Sequence, residues 1–240
     1  MHRIRAITLD LDDTLWEIMP VIKRAEATLW AWLGENFPKI PEVFSPEAAY
    51  ELREEVMTEH WDRNHDFRFL RKMVLERMAV TVGYSPDFVD DAFVVFDRVR
   101  NDVELYADVV PTLEVLSEHF SLIAVTNGNA NLQRIGIRHL FDDVVTAVDV
   151  GAAKPARPIF DEAVNRADVT AQQTLHVGDH PEIDIVGAQE AGLRTAWVNR
   201  NGDDWPEHVA APDVIISTIA ELLTVLEPAI AHQASQSAHE

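Results

Sequence analysis

The chain has 240 residues, enough to bury a substantial core in one domain or in one domain with an insert, and its hydrophobic share of 47% is that of an ordinary soluble protein. Its 20 Lys and Arg against 41 Asp and Glu leave a formal charge of -21, which repels nucleic acid and anionic membranes and excludes both as expected partners. It contains no cysteine, so disulfides, thiolate metal sites and cysteine nucleophiles are excluded as well.

The chain enters its first strand with no signal-peptide stretch, and no segment reads as a membrane span, so a cytoplasmic protein is expected. The run Ile4, Ala6, Ile7, Leu9, Leu11 reads as a buried strand. It ends in Asp10-Leu11-Asp12-Asp13-Thr14-Leu15. Strand alternation puts Asp10 and Asp12 on one side, about 7 Å apart. Two ionised carboxylates so close to an apolar sheet need a cation or a retained proton.

Residues 16–106 carry no convincing strand. Apolar residues recur at helical spacing over 21–37, 46–61, 67–80 and 88–99. Ser45-Pro46 and Ser85-Pro86 read as helix starts. From residue 107 helices alternate with strands: helix 110–119, strand 122–126, helix 130–138, strand 144–148, helix 156–167 and strand 175–179. A helix from 183, strands at 195–198 and 214–216, and a last helix at 218–226 follow. This pattern calls for an α/β fold with a doubly wound, mostly parallel, Rossmann-like sheet. The core is assigned to 1–15 and 107–228, an inserted all-helical cap to 16–106, and a disordered tail to 229–240.

Ligands of open α/β sheets bind at the carboxyl ends of the strands. The first strand ends in Asp10 and Asp12, and the second in Thr126-Asn127-Gly128. Lys154-Pro155 follows the third, and Gly178-Asp179, with Asp184 five residues on, closes the fourth. The set suits phosphoryl transfer. Asp10, Asp179, Asp184 and a backbone carbonyl offer oxygen ligands to a hard cation such as Mg2+. Asp10 is the candidate nucleophile and Asp12 the candidate acid and base. Thr126 with the amides of Asn127 and Gly128 is placed to hold phosphate oxygens, and Lys154 to balance charge. Two readings stay open for Trp16, a surface on which a flavin or other ring stacks, or core packing. Asp184 reads equally as a metal ligand and as a helix cap. Arg68 and Arg71 are weighed as substrate contacts against pairing with surface acids.

In these four motifs and their order the chain resembles the haloacid dehalogenase (HAD) superfamily of Mg2+-dependent phosphatases with a helical cap. The resemblance implies Asp10 as nucleophile, Asp12 as acid/base that also lends its carbonyl to the metal, and Asp179 as metal ligand, with Asp184 direct or through water. It also implies a cap that closes over the site to exclude water. The strings Thr126-Asn127-Gly128-Asn129-Ala130 and Leu175-His176-Val177-Gly178-Asp179, with Asn201-Gly202-Asp203, are similar to bacterial phosphatases acting on flavin mononucleotide and on a ribitylaminouracil phosphate, although His180 stands where that group often has an acid. The expected activity is phosphomonoester hydrolysis through an aspartyl-phosphate, on a small phosphorylated metabolite as sole partner, by a monomer or a homodimer. The alternatives are a phosphotransferase or mutase, a 2-haloacid dehalogenase, and a non-catalytic ligand-binding homologue. Asp12 argues against the dehalogenase, because a halide leaves without a proton.

Overall fold

Ala6, Ile7, Thr8 and Leu9 are all fully buried, with no alternation of polar and apolar faces, as a strand covered on both sides requires. A computed structural model describes residues 1 and 3–237. In chain order it contains β1 (Ala6–Leu9), α1 (Ile18–Asn36), α2 (Lys39–Val43), α3 (Pro46–Glu59), α4 (Phe67–Thr81), α5 (Val89–Arg100), α6 (Val109–Ser117), β2 (Ser121–Thr126), α7 (Leu132–Ile135), β3 (Asp143–Thr146) and α8 (Ala147–Val150). These are followed by α9 (Arg157–Arg166), β4 (Thr174–Gly178), a π-helical turn at Pro181–Val186, α10 (Gly187–Glu190), β5 (Arg194–Val198), β6 (Val214–Ile216) and α11 (Leu222–Ser237).

The six strands form one sheet in the order β3-β2-β1-β4-β5-β6, and every neighbouring pair is parallel. The chain winds outward from β1 first to one side and then to the other. Strands β1 and β4 therefore flank the point where the winding reverses, the place at which such sheets bind ligands. Leu9 is level with Ala124 of β2 and Val177 of β4, so the residues just beyond these strands meet at one rim.

The chain divides into two compact units. One takes in Met1–Glu17, Glu104–Gly128 and everything from Ile135 onward; the other is Ile18–Val103 with Asn129–Arg134. The second unit is built as its periodicity predicts. Ala25, Leu29 and Leu33 follow one another at single turns of α1 and pack with Leu75, Met78, Phe88 and Phe96. Ser45 caps α3 by accepting the Ala48 N–H at 3.2 Å, with Pro46 at the first helical position.

Several boundaries differ from the sequence reading, and the strand expected over 144–148 ends at Thr146, after which α8 begins. Residues 129–134, read as core, cluster with the helices, because the Asn131 N–H donates to Asn101 Oδ1 at 2.6 Å and Arg134 pairs with Asp97 at 2.6 Å. The helix expected over 130–138 shrinks to α7, stopped by Gly136 at φ 95°. The tail read as disordered from 229 is corrected in part: α11 continues through Pro228 to Ser237, and residues 238–240 lie outside the described ones. Ala229 is buried, which gives the extra turn an apolar anchor.

Candidate active site

Asp10 prolongs the ladder of β1 by one residue, its N–H donating to the Val177 carbonyl at 2.9 Å. That bond carries a carboxylate to the rim while its backbone stays in the sheet. Strand pairing then stops and the chain turns, with Asp13 in the left-handed region at φ 62°, a conformation that Asp tolerates better than most residues. The Leu15 N–H returns to the Leu11 carbonyl at 2.8 Å. Arg200 braces this turn: its guanidinium donates to the Thr14 carbonyl at 3.1 and 3.3 Å, pairs with Asp108 at 3.2 Å and lies 3.9 Å from the Tyr106 ring centroid. Asp12 therefore stands in the turn rather than in a straight continuation of the strand.

The carboxylates gathered with Asp10 are Asp179 and Asp184, one oxygen from each lying within 4.8 Å of the others. Lys154, only 4% exposed, reaches between two of them: its ammonium hydrogen-bonds Asp10 Oδ1 and donates to Asp184 Oδ1 at 2.6 Å. Thr14 Oγ1 lies 3.3 Å from Asp10 Oδ2 and 3.1 Å from Asp179 Oδ1, and with one hydrogen it can donate to only one of them at a time. The Asp179 carbonyl is held in turn by the Trp197 indole N–H at 2.6 Å.

Three carboxylates against one ammonium leave an excess of negative charge in a buried place. Burial pushes the Asp10 carboxyl well above the ordinary carboxylate range; Lys154 opposes the shift, and Asp184 and Asp179 add to it. Asp179 is pushed up to about 7, chiefly by burial and then by the Asp184 charge. For Asp184 burial acts in the same direction but is outweighed by Lys154 and His176, so this carboxylate is held well below its usual range. The ammonium of Lys154 is penalised by burial, yet Asp10 and Asp184 raise its pKa above the ordinary lysine value. Hard oxygen donors with unbalanced charge suit a divalent cation of the Mg2+ kind. Asp10 and Asp179 are the oxygens best placed to hold it. Both oxygens of Asp184 are already engaged, Oδ1 by Lys154 and His176, Oδ2 by the His180 N–H at 3.0 Å.

The amino-acid sequence matches the model of the haloacid dehalogenase-like hydrolases over residues 4–192. The chain belongs to this family. Among its curated relatives are the 5-amino-6-(5-phospho-D-ribitylamino)uracil phosphatase YigB of Escherichia coli K12, 29% identical over 234 residues that cover 94% of this chain and 98% of that one, and the glyceraldehyde 3-phosphate phosphatase of Methanopyrus kandleri, 32% identical over 236 residues, 91% and 98% of the two chains. A crystal structure of a 2-haloacid dehalogenase from Pseudomonas syringae pv. Tomato DC3000 is 39% identical and superposes with a TM-score of 0.89 over 93% of this chain and 98% of that one.

Within this HAD framework several sequence expectations change. Trp16 is fully buried and donates its indole N–H to Asp12 Oδ1 at 2.9 Å, so it offers no face for a ring to stack on. Gly128 is also corrected, because its amide donates to Thr126 Oγ1 at 2.9 Å instead of facing outward. Thr126 Oγ1 is the acceptor of that bond, so its hydroxyl hydrogen is not spent on it. The Asn127 side chain clamps the backbone of Lys154, accepting its N–H at 2.7 Å and donating to its carbonyl at 2.9 Å. In the helical unit, Arg71 pairs with Glu26 at 2.6 Å and stacks 3.5 Å from the Phe96 ring centroid, and Arg68 lies over Phe93. Both arginines have partners within their own unit.

The sequence reading missed a buried pair behind Asp184. Thr8 and His176 are register partners on β1 and β4; Thr8 Oγ1 lies 2.8 Å from His176 Nδ1, and His176 Nε2 lies 3.4 Å from Asp184 Oδ1. Burial holds the imidazole below its ordinary pKa, against the pull of Asp184. Polar residues inside two otherwise apolar strands were the available signal. His180, the residue at odds with the group pattern, caps the π-helical turn, its Nδ1 accepting the N–H groups of Glu182 and Ile183 at 3.3 Å each.

Proposed function

We propose that this hydrolase is a Mg2+-dependent phosphomonoesterase that works through an aspartyl-phosphate on Asp10. The observation that carries the reading is the meeting of Asp10, Asp179 and Asp184 at the rim of the sheet with the Lys154 ammonium between two of them. Bound there by Asp10, Asp179 and the Asp12 carbonyl, with Asp184 acting through water, Mg2+ would supply positive charge for the phosphoryl oxygens and keep Asp10 ionised. Asp10 attacks phosphorus and the ester P–O bond breaks, while Asp12 gives its proton to the departing alkoxide. Asp12 then takes a proton from water, whose oxygen attacks the same phosphorus and releases inorganic phosphate and Asp10. The Thr126 hydroxyl and the backbone N–H of Asn127 orient the phosphoryl group, and Lys154 offsets the charge of nucleophile and phosphate.

The substrate class supported by the relatives is a small phosphorylated metabolite. A ribitylaminouracil phosphate is the substrate favoured by the Escherichia coli relative, which matches over nearly its whole length, and the motif resemblance extends the reading to flavin mononucleotide. The Pseudomonas syringae structure favours a second reading, hydrolysis of a 2-haloacid. That reaction gives no work to an acid at Asp12, since a halide departs without a proton.

Phosphate release from flavin mononucleotide, a ribityl phosphate, glyceraldehyde 3-phosphate and p-nitrophenyl phosphate in Mg2+, measured beside chloride release from 2-chloropropionate, separates the two. Phosphate without chloride is expected, with Asp10→Asn at background and Asp12→Asn retaining a small residue, reduced by roughly 10²- to 10⁴-fold. Full phosphatase activity in Asp10→Asn would sink the mechanism, and chloride release alone would replace it with the second reading.

A further inference from the structure

Trp16 is tied to Asp12 through both side chain and backbone. Its indole N–H donates to Asp12 Oδ1 at 2.9 Å, and the two residues form a parallel bridge in which the neighbouring Asp13 N–H donates to the Trp16 carbonyl at 2.7 Å. On its other side Trp16 forms an antiparallel bridge with Leu105, and the adjoining Tyr106 N–H donates to the Leu15 carbonyl at 3.0 Å. A ring with no exposure, held by backbone pairing on both sides, has no freedom to turn toward a ligand. It can fix a neighbour.

We propose that Trp16 is a positioning residue for Asp12: its N–H occupies Oδ1 and sets the plane of the carboxyl group, so that the proton passes to and from the reacting oxygens through Oδ2. This rests on the reading of Asp12 as acid and base. The hydroxyl oxygen of a neutral carboxyl group is its donor end, and the carbonyl oxygen is the better acceptor of an N–H. An indole N–H on Oδ1 therefore places the acidic hydrogen on Oδ2. In the first half-reaction the bond from Asp10 to phosphorus forms, the ester P–O bond breaks and the Oδ2 hydrogen goes to the departing oxygen. In the second, water oxygen bonds to phosphorus, its proton goes to Oδ2 and the bond to Asp10 breaks. Without the N–H the carboxyl group samples other rotations, and only the steps that move a proton suffer.

The leaving group exposes the difference. An alkoxide needs the proton as it departs, whereas p-nitrophenolate is a weak base that leaves without one. The test measures kcat/KM, which reports the steps up to phosphoryl transfer, for wild type, Trp16→Phe and Asp12→Asn on an alkyl phosphate and on p-nitrophenyl phosphate. Trp16→Phe is expected to lose on the order of 10-fold on the alkyl ester and only a few-fold on the aryl ester, in the same sense as the larger loss in Asp12→Asn. If the phenylalanine variant does not fold, benzothienylalanine at position 16 keeps the bicyclic ring, lacks the N–H and makes the same test. Equal losses on both esters, with Asp12→Asn still selective, would assign Trp16 to packing alone and overturn the proposal. Retained or raised activity on the alkyl ester in either Trp16 variant overturns it too. If Asp12→Asn itself loses equally on both esters, the acid–base reading fails, and the role of Trp16 falls with it.

Discussion

Lys154 is the residue on which the site balances. It is almost wholly buried between two carboxylates, where an ammonium persists only because both partners reward the charge. Lys154→Met should therefore cost about 3–5 kcal/mol in urea unfolding of the metal-free protein, since it strands two buried carboxylates. Addition of Mg2+ should recover part of that loss. Lys154→Arg should not match the wild type, because a planar fork does not fit where a point charge sits. A loss under 1 kcal/mol for the methionine variant would contradict this account of the charge balance. Much of this was legible beforehand: Asp10, Lys154 and Asp179 each close or follow a strand, and parallel strands deliver such residues to one rim. Trp16 was not, because exposure of an aromatic at an element junction is set by what packs around it. The Thr8 and His176 contact was equally hidden, since it needs the neighbour relation of β1 and β4.

At the scale of elements, the close approach of β4 to the π-helical turn after it decides where Asp184 stands. A Cβ on Gly178 would lie 2.4 Å from the Asp184 Cγ and 2.6 Å from its Cβ, inside any real contact distance. Gly178→Ala must push Asp184 away from Lys154 and His176. The expected outcome is loss of phosphatase activity to near background together with about 1–3 kcal/mol of destabilisation, read by chemical unfolding. A variant as active as wild type would show that the position of Asp184 is not needed. The elements themselves were readable where their periodicity was long, as in α1, α4 and α5. They were misread where a single backbone feature intervened. Gly136 cut α7 short, and the π-helical turn replaced the regular helix expected from residue 183.

For the molecule as a whole, charge and the buried carboxylates set the response to pH. Asp179 sits at about 7 in the fold, against about 3.9 in an unfolded chain. Its folded pKa is raised, so the folded chain holds this proton to higher pH than the unfolded chain does. The stability it contributes is complete below about pH 4 and is lost as pH rises through 7. In EDTA the melting temperature should thus fall between pH 6 and pH 8, by on the order of a few degrees. Mg2+ at pH 8 should reverse the fall by binding the ionised carboxylate. General self-repulsion at a formal charge of -21 also grows with pH, and Asp179→Asn separates the two, because it flattens only the part that belongs to the site. A melting temperature that rises from pH 6 to pH 8 in EDTA would count against the assignment. The succession of strands along the chain and the presence of an insertion were readable from the alternation of elements; the membership of residues 129–134 was not, because it depends on Asn101 and Asp97, 30 and 37 residues before their partners.

The bridge between Trp16 and Leu105, with the Tyr106 N–H on the Leu15 carbonyl, has a meaning in polymer terms. It pins the two ends of the inserted segment side by side, at the spacing of neighbouring strands. The insertion is thus a closed loop, and the entropy of closing a loop grows only with the logarithm of its length, about 0.6 kcal/mol for each doubling. A fourfold lengthening of the insert would cost the α/β unit about 1.2 kcal/mol on that scale. The junction is a socket. Helices can be lengthened, replaced or recombined there while the rim that carries Asp10 and Lys154 keeps its own stability.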